Sequence, residues 1–290
     1  MKPLKILHFS DIHATLGVKN IKYSDLSIKR LIGGMNYSFR RKKNFIDVKK
    51  KIEALIEFKK EHNIDIVINT GDYTVFGLKD ELKFAKKLLE PLMTPTNRYI
   101  TIAGNHDIYV DTEESYKNFF EEYGSLLQSD MPQYGTYPIV RLIRDNCAII
   151  MLNSAKSNLL PWKSSGKIPQ QELEALEKIL EDKILKNRFI FIGLHYAPRL
   201  ANGENDTKRH GLENVDEFLN ICKKIEFGAI LCGHIHRGYR ISIEDLNSEI
   251  FCAGSLTMQG CEGFWVYELD GNRFNASFGY WGENRFELKS

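Results

Sequence analysis

The chain has 290 residues, 43% of them hydrophobic and 27% charged, with a formal net charge of +2. That balance supports a sizeable buried core and excludes both a disordered chain and nucleic-acid binding across the whole surface. No run of eighteen apolar residues occurs, and Met1-Lys2-Pro3 leads straight into a strand-like segment, so neither a transmembrane helix nor a secretory signal is expected.

Strand 4–9 comes first and ends in Asp11-x-His13. A basic insert follows. Residues 19–60 carry 13 Lys/Arg against 4 Asp/Glu, and the rest of the chain carries 27 against 34. The local balance is therefore +9 on a body of −7. Val48, Ile52, Leu55 and Ile56 recur at helical spacing and predict a helix over 47–62. Strand 64–69 leads to Gly71-Asp72, helix 79–90 follows, and strand 98–103 leads to Gly104-Asn105-His106-Asp107. After a helix over 113–123, strands 138–143 and 146–152 pair across Arg144-Asp145-Asn146 as a hairpin. Pro169 opens a helix extending to about 186. Strand 188–194 ends at His195, a polar loop spans 199–210, and a helix covers 213–223. Strand 228–232 ends in Gly233-His234-x-His236. Strands near 238–243, 249–254, 263–269 and 273–281 complete the chain. Alternating β and α elements followed by a run of strands predict a mixed α/β core extended by antiparallel strands. No repeat or linker divides it, so a single domain over 1–290 is expected. The five cysteines show no CxxC spacing and mostly lie in apolar stretches, which predicts reduced core thiols and a reducing, cytoplasmic compartment.

Five polar clusters thus stand directly after apolar runs, where open α/β sheets build their sites. Singly they mean little. Asp-x-His and Gly-Asp are ordinary turn sequences, and a lone histidine after a strand is usually a core residue. Gly-His-x-His is stronger, since two imidazoles on alternate residues have few structural uses. In order, and all at strand ends, the carboxylates, the Asn carbonyl and the imidazoles make a donor set for hard or borderline divalent ions. The absence of thiolates argues against a structural zinc site. Gly71 and Gly233 would let the backbone approach such a centre closely.

The clusters D-x-H, G-D, G-N-H-D, H and G-H-x-H, spread over residues 11 to 236, resemble the five blocks of the calcineurin-like metallophosphoesterases. The resemblance implies a four-layer αββα sandwich of two mixed β-sheets flanked by helices, with two divalent ions at the strand ends. Manganese is favoured, with iron, magnesium and zinc as alternatives. It also implies ligands by position: Asp11, His13 and His236 for one ion, Asn105, His195 and His234 for the other, and Asp72 bridging. His106 would face the phosphate, oriented by Asp107. The implied reaction is direct hydrolysis of a phosphodiester or pyrophosphate by metal-bound hydroxide, without a covalent phosphoenzyme.

Departures narrow the subfamily. Residues 71–77 read Gly-Asp-Tyr-Thr-Val-Phe-Gly, unlike the protein Ser/Thr phosphatases, and Val75 stands where purple acid phosphatases carry a metal-binding Tyr. No ligand is missing, which disfavours a scaffold role. Residues 26–46 mix apolar side chains with Lys/Arg, as either a solvated helix pair shielding the site or a basic amphipathic lid against anionic membrane or an acylated substrate. Lys29, Arg30, Gly33, Asn36 and Arg40 resemble a stretch of the UDP-2,3-diacylglucosamine pyrophosphatases of lipid A synthesis. This makes UDP-2,3-diacylglucosamine the favoured substrate and makes Asn36 and Arg40 contacts for its diphosphate or sugar. The protein would then work in the cytoplasm, peripheral to the inner face of the membrane. The alternative is a class III cyclic-nucleotide or other small phosphodiesterase. A DNA nuclease subunit fits less well, because the chain lacks a coiled-coil partner-binding tail. Tyr196, Arg199, Arg209 and His210, in or beside the polar loop, are further candidates for substrate contact.

Overall fold

The computed structural model describes residues 2–37, 42–158, 160–271 and 273–289. Two six-stranded sheets carry it. In the first, β1 (Leu4–Phe9), β2 (Ile66–Asn69) and β3 (Tyr99–Thr101) run parallel. On the other side of β1, β10 (Gly263–Asp270), β11 (Arg273–Trp281) and β12 (Phe286–Leu288) continue as an antiparallel meander. In the second sheet, β4 (Ile139–Ile143) pairs antiparallel with β5 (Cys147–Met151). Parallel β6 (Phe189–Gly193), β7 (Gly228–Cys232) and β9 (Glu249–Ala253) follow, and β8 (Gly238–Ile241) closes the edge antiparallel.

The apolar runs that mark the strands show little alternation because both faces of each sheet are covered. In β5 the odd residues Cys147, Ile149 and Met151 enter one core, whereas Ala148 and Ile150 enter another. Phe191, Leu231 and Phe251 face the first sheet in the same way. They form an aromatic seam between the layers, with Phe191 and Tyr267 centroids 5.4 Å apart and Phe251 and Trp265 centroids 5.1 Å apart. The outer face of the first sheet packs on α2 (Val48–Glu61), α3 (Lys79–Leu89) and α4 (Thr112–Tyr123) through Leu55, Leu82 and Phe119. The outer face of the second packs on α5 (Gln170–Leu180) and α6 (Val215–Cys222) through Leu176 and Phe218. The αββα layering expected from the family resemblance is the observed one. Each such fully buried side chain contributes about 1.5–3 kcal/mol, so these two cores hold the strand ends in place.

Two elements differ from expectation. The helix opened by Pro169 ends at Leu180, not near 186, because the Asp182 side chain accepts a hydrogen bond from the Ile184 amide and starts a separate 3-10 turn. Strand β12 went unread because three residues carry no period. The burial of four cysteines agrees with their apolar sequence surroundings. Among the described residues none is paired, and Cys147, Cys222, Cys232 and Cys252 are buried, with the Cys147 thiol pushed up to about 12 by burial. No described helix is long and apolar enough to cross a membrane.

One buried acid makes the fold's stability depend on pH. Glu172 in α5 accepts from the Asn153 amide at 2.9 Å, and burial pushes its carboxyl up from 4.5 to about 8. Between those two values the folded chain holds a proton that the unfolded chain has lost. Stability should therefore fall as pH rises through that window, by at most about 1.4 kcal/mol per pH unit from this group, and level off above it. Glu172→Gln removes that slope, so thermal unfolding of the variant across that window should vary less with pH than that of the parent.

Candidate metal centre

All five polar clusters lie past the C-terminal ends of parallel strands: Asp11 and His13 after β1, Asp72 after β2, Asn105, His106 and Asp107 after β3, His195 after β6, and His234 and His236 after β7. The sandwich brings the two sets together. The His234 amide donates to Asp11 Oδ2 at 3.0 Å, and His195 Nδ1 reaches the Thr70 carbonyl at 2.8 Å. Gly71 has a φ of 100° and stands against the Gly104 backbone, so any side chain there would collide. Gly233 lies under the Asp11 carboxylate, where a Cβ would come within 2.5 Å of Oδ2. Asp11, His13, Asp72, His234 and His236 themselves adopt left-handed φ values of 45° to 70°, a concentration of backbone strain typical of functional sites.

The hydrogen bonds fix where the protons are. A carbonyl only accepts, so each imidazole nitrogen facing one carries the N–H. His13 Nδ1 meets Thr74 O at 3.2 Å, His195 Nδ1 meets Thr70 O, and His234 Nε2 meets His210 O at 3.0 Å. Burial, foremost, holds the His195 and His234 rings below the usual imidazole range, hence neutral. Their opposite nitrogens are lone pairs, and they converge on acceptors. Asn105 Oδ1 lies 3.0 Å from His195 Nε2 and 2.8 Å from His234 Nδ1. The Asp72 carboxylate lies between two groups, Oδ1 3.5 Å from His195 Nε2 and Oδ2 3.7 Å from His13 Nε2. Asp11 Oδ1 is buried without a hydrogen-bond partner among the described residues, although His236 Nε2 lies 3.1 Å away. Burial raises the Asp11 carboxyl, but the His13 and His236 rings outweigh it and hold the group well below the carboxylate range.

Lone pairs and a buried, unpartnered carboxylate oxygen crowded together are costly unless a cation sits among them. The residues therefore fit a pair of divalent ions. Asp11, His13, Asp72 and His236 could hold one, their donor atoms all lying within 4.8 Å of one another. Asn105, His195 and His234, with Asp72, could hold a second. Asp206, His210 and His234 form another close trio. It is the poorer site, because His234 Nε2 is engaged by the His210 carbonyl and Nδ1 by Asn105.

The model for the family described as calcineurin-like phosphoesterase matches residues 4–238. This chain belongs to that family. The "Probable glycerophosphodiester phosphodiesterase GpdQ" of Arcobacter nitrofigilis is 31% identical over 184 residues, covering 60% of this chain and 57% of that protein. The 3',5'-cyclic adenosine monophosphate phosphodiesterase CpdA of Pseudomonas aeruginosa is 23% identical over 197 residues, 67% of this chain and 63% of that one. These matches span less than two thirds of either relative's length. A dimetal phosphatase from Danio rerio shares the fold, with a TM-score of 0.68 at 12% identity over 98% of both chains.

Several sequence expectations need correction. Asp107 does not orient the His106 ring. The His106 Nδ1 meets the Val75 carbonyl at 2.7 Å. Asp107, buried, accepts instead from the amides of Asp72, Tyr73, Thr74 and Gly104 and from the Thr74 hydroxyl, at 2.9 to 3.2 Å. It is a positioning residue for the loop that carries Asp72. Tyr196 is buried behind the site, its ring 4.3 Å from that of His234 and its hydroxyl donating to Ser164 O. Arg199 pairs with Asp216 at 3.0 Å, outside the cavity lining. Arg40 lies outside the described residues, as does the side chain of Asn36.

A cavity of about 390 Å³ adjoins the centre, and Asp72, Asn105, His106, His210, His234 and His236 form its floor. Its walls include Tyr109, Lys156, Trp162 and Lys163, none of which the sequence singled out. They come from loops with no period or spacing to betray them. The other wall is α1 (Ile28–Asn36) of the basic insert, through Lys29, Ile32 and Gly33.

Two expected outcomes follow. Asp72→Ala should bind at most one ion per chain by elemental analysis, and retention of two would overturn its bridging place. Asp107→Ala strips the acceptor from five donors and should cost roughly 3 kcal/mol or more in denaturant unfolding.

Proposed function

We propose that the chain hydrolyses phosphodiester bonds of small molecules with two divalent ions, manganese first among them, held by Asp11, His13, Asp72, Asn105, His195, His234 and His236. The observation that carries this reading is the Asp72 carboxylate, which presents one oxygen to each half of a buried cluster of nitrogen and oxygen lone pairs. When bound, two such ions supply Lewis-acid polarisation of the phosphoryl oxygens and an acidified water. The chain's own residues do the rest. His106 lines the cavity beside Asp72, its amide donating to Asp72 Oδ1 at 2.7 Å. The Val75 carbonyl accepts a hydrogen bond from its Nδ1–H, so Nε2 is the nitrogen that, when protonated, can donate to a phosphoryl or leaving-group oxygen. Asp107 keeps the 72–74 backbone in register with Gly104.

The cavity volume suits a small molecule. A diester is supported over a monoester by the names of the two curated relatives. The acylated sugar-nucleotide reading has less support. Of the residues that suggested it, Lys29 donates to the carbonyls of Tyr109 and Asn158, and Arg30 to those of Asp25, Phe76 and Gly77. Both are spent on anchoring α1. A glycerophosphodiester or a cyclic nucleotide is therefore the preferred substrate.

The purified chain should be assayed with manganese on bis(p-nitrophenyl) phosphate, a glycerophosphodiester, a cyclic nucleotide and UDP-2,3-diacylglucosamine. Turnover of a small diester is expected, and hydrolysis of the sugar nucleotide alone would overturn the substrate reading. His106→Ala should lower kcat about 100-fold or more while the bound metal content stays unchanged.

A further inference from the structure

One face of α1 is exposed. Ile28, Leu31, Ile32 and Met35 stand at i, i+3, i+4 and i+7, one stripe of a helix, and they are 76%, 52%, 40% and 57% exposed. The helix is fastened by its polar side instead. Arg30 and Lys29 reach the main-chain carbonyls of the body, and Ser27 caps the first turn by accepting from the Arg30 amide. This reverses the usual arrangement, in which the apolar stripe of a surface helix is the buried one. The stripe continues into the cavity through Ile32, and Trp162, 66% exposed, lines the same cavity from the loop around residues 156–165. Tyr23 and Leu26, just before the helix, are exposed as well. Contiguous apolar surface beside a site mouth marks a docking face.

Charge decides what covers it. The helix lies within the basic run of residues 19–60, whose balance is +9. A second copy meeting this face about a two-fold axis would bring two such segments together, which like-charge repulsion opposes. An anionic bilayer accepts both features, taking the apolar side chains at the level of its headgroups and attracting the basic run. We propose that α1 docks this protein on an anionic lipid surface, with Leu31 and Met35 entering the interface and the cavity mouth beside it.

The test uses the full chain loaded with manganese and vesicles of phosphatidylcholine with or without phosphatidylglycerol. The parent should co-sediment with the anionic vesicles and far less with the neutral ones. Leu31→Glu with Met35→Glu should reduce that partition roughly tenfold or more. Neither residue lines the cavity, so turnover of bis(p-nitrophenyl) phosphate should be kept, which also reports that the variant is folded. No co-sedimentation by active parent protein, equal binding to both vesicles, or binding unchanged in the double variant would each overturn the proposal. So would a concentration-dependent dimer in sedimentation velocity that the double variant abolishes, since that would give the face to a second copy. An inactive parent that still binds anionic vesicles would instead count against the phosphodiesterase reading and leave the docking face standing.

Discussion

Four imidazoles around the centre are fixed by giving one N–H to a main-chain carbonyl: His13 to Thr74, His106 to Val75, His195 to Thr70 and His234 to His210. Three of those four carbonyls belong to the single loop 70–75. That loop is itself held by Asp107, whose carboxylate accepts from Asp72, Tyr73 and Thr74 and ties them to Gly104. The orientation of His13, His195 and Asp72 therefore depends on one buried carboxylate that reaches them only through the backbone of that loop. A second layer of this kind is what metal centres use to fix tautomer and aim. Here it also explains why the inner nitrogens are lone pairs and why the cluster suits cations.

Such a centre is expensive to assemble. Five ligand residues sit at left-handed φ, each at a cost of order 1–2 kcal/mol for a non-glycine residue. Asp11 Oδ1 is buried without a donor among the described residues. What offsets this is the two-sided burial of both sheets, in which strands such as β5 and β6 send alternate side chains into the inter-sheet and outer cores. The ligands follow immediately after these rigid strands, so loop entropy does little to loosen them. The cavity wall formed by α1 is built differently. Its anchors are Lys29 and Arg30 on carbonyl oxygens, and its apolar stripe faces outward. The floor of the site is thus set by core packing and one wall by a few polar bonds, which allows the substrate-facing side to vary without disturbing the centre.

The seven candidate ligand positions were picked out in the sequence, and the strand that precedes each was legible there, because an apolar run followed at once by Asp, His or Asn is a local pattern. So were the hairpin at Arg144 and the helices whose apolar residues recur at helical spacing. Local pattern also misled. His106-Asp107 are neighbours in the chain, which suggested that one orients the other, yet the turn at Gly104 points the carboxylate down into loop 70–75 and the imidazole out into the cavity. Tyr196 follows a ligand directly and still faces the core.

By itself, the sequence determined the family and the candidate donor atoms, since these depend on residue type and on strand-end position. Only the tertiary structure decided which oxygen of Asp72 faces which half of the centre, that Asp107 supports a loop, and that Tyr109 and Trp162 line the same cavity as Ile32. These relations join residues far apart in the chain. They are set by the packing of one sheet on the other, which no local period or spacing encodes.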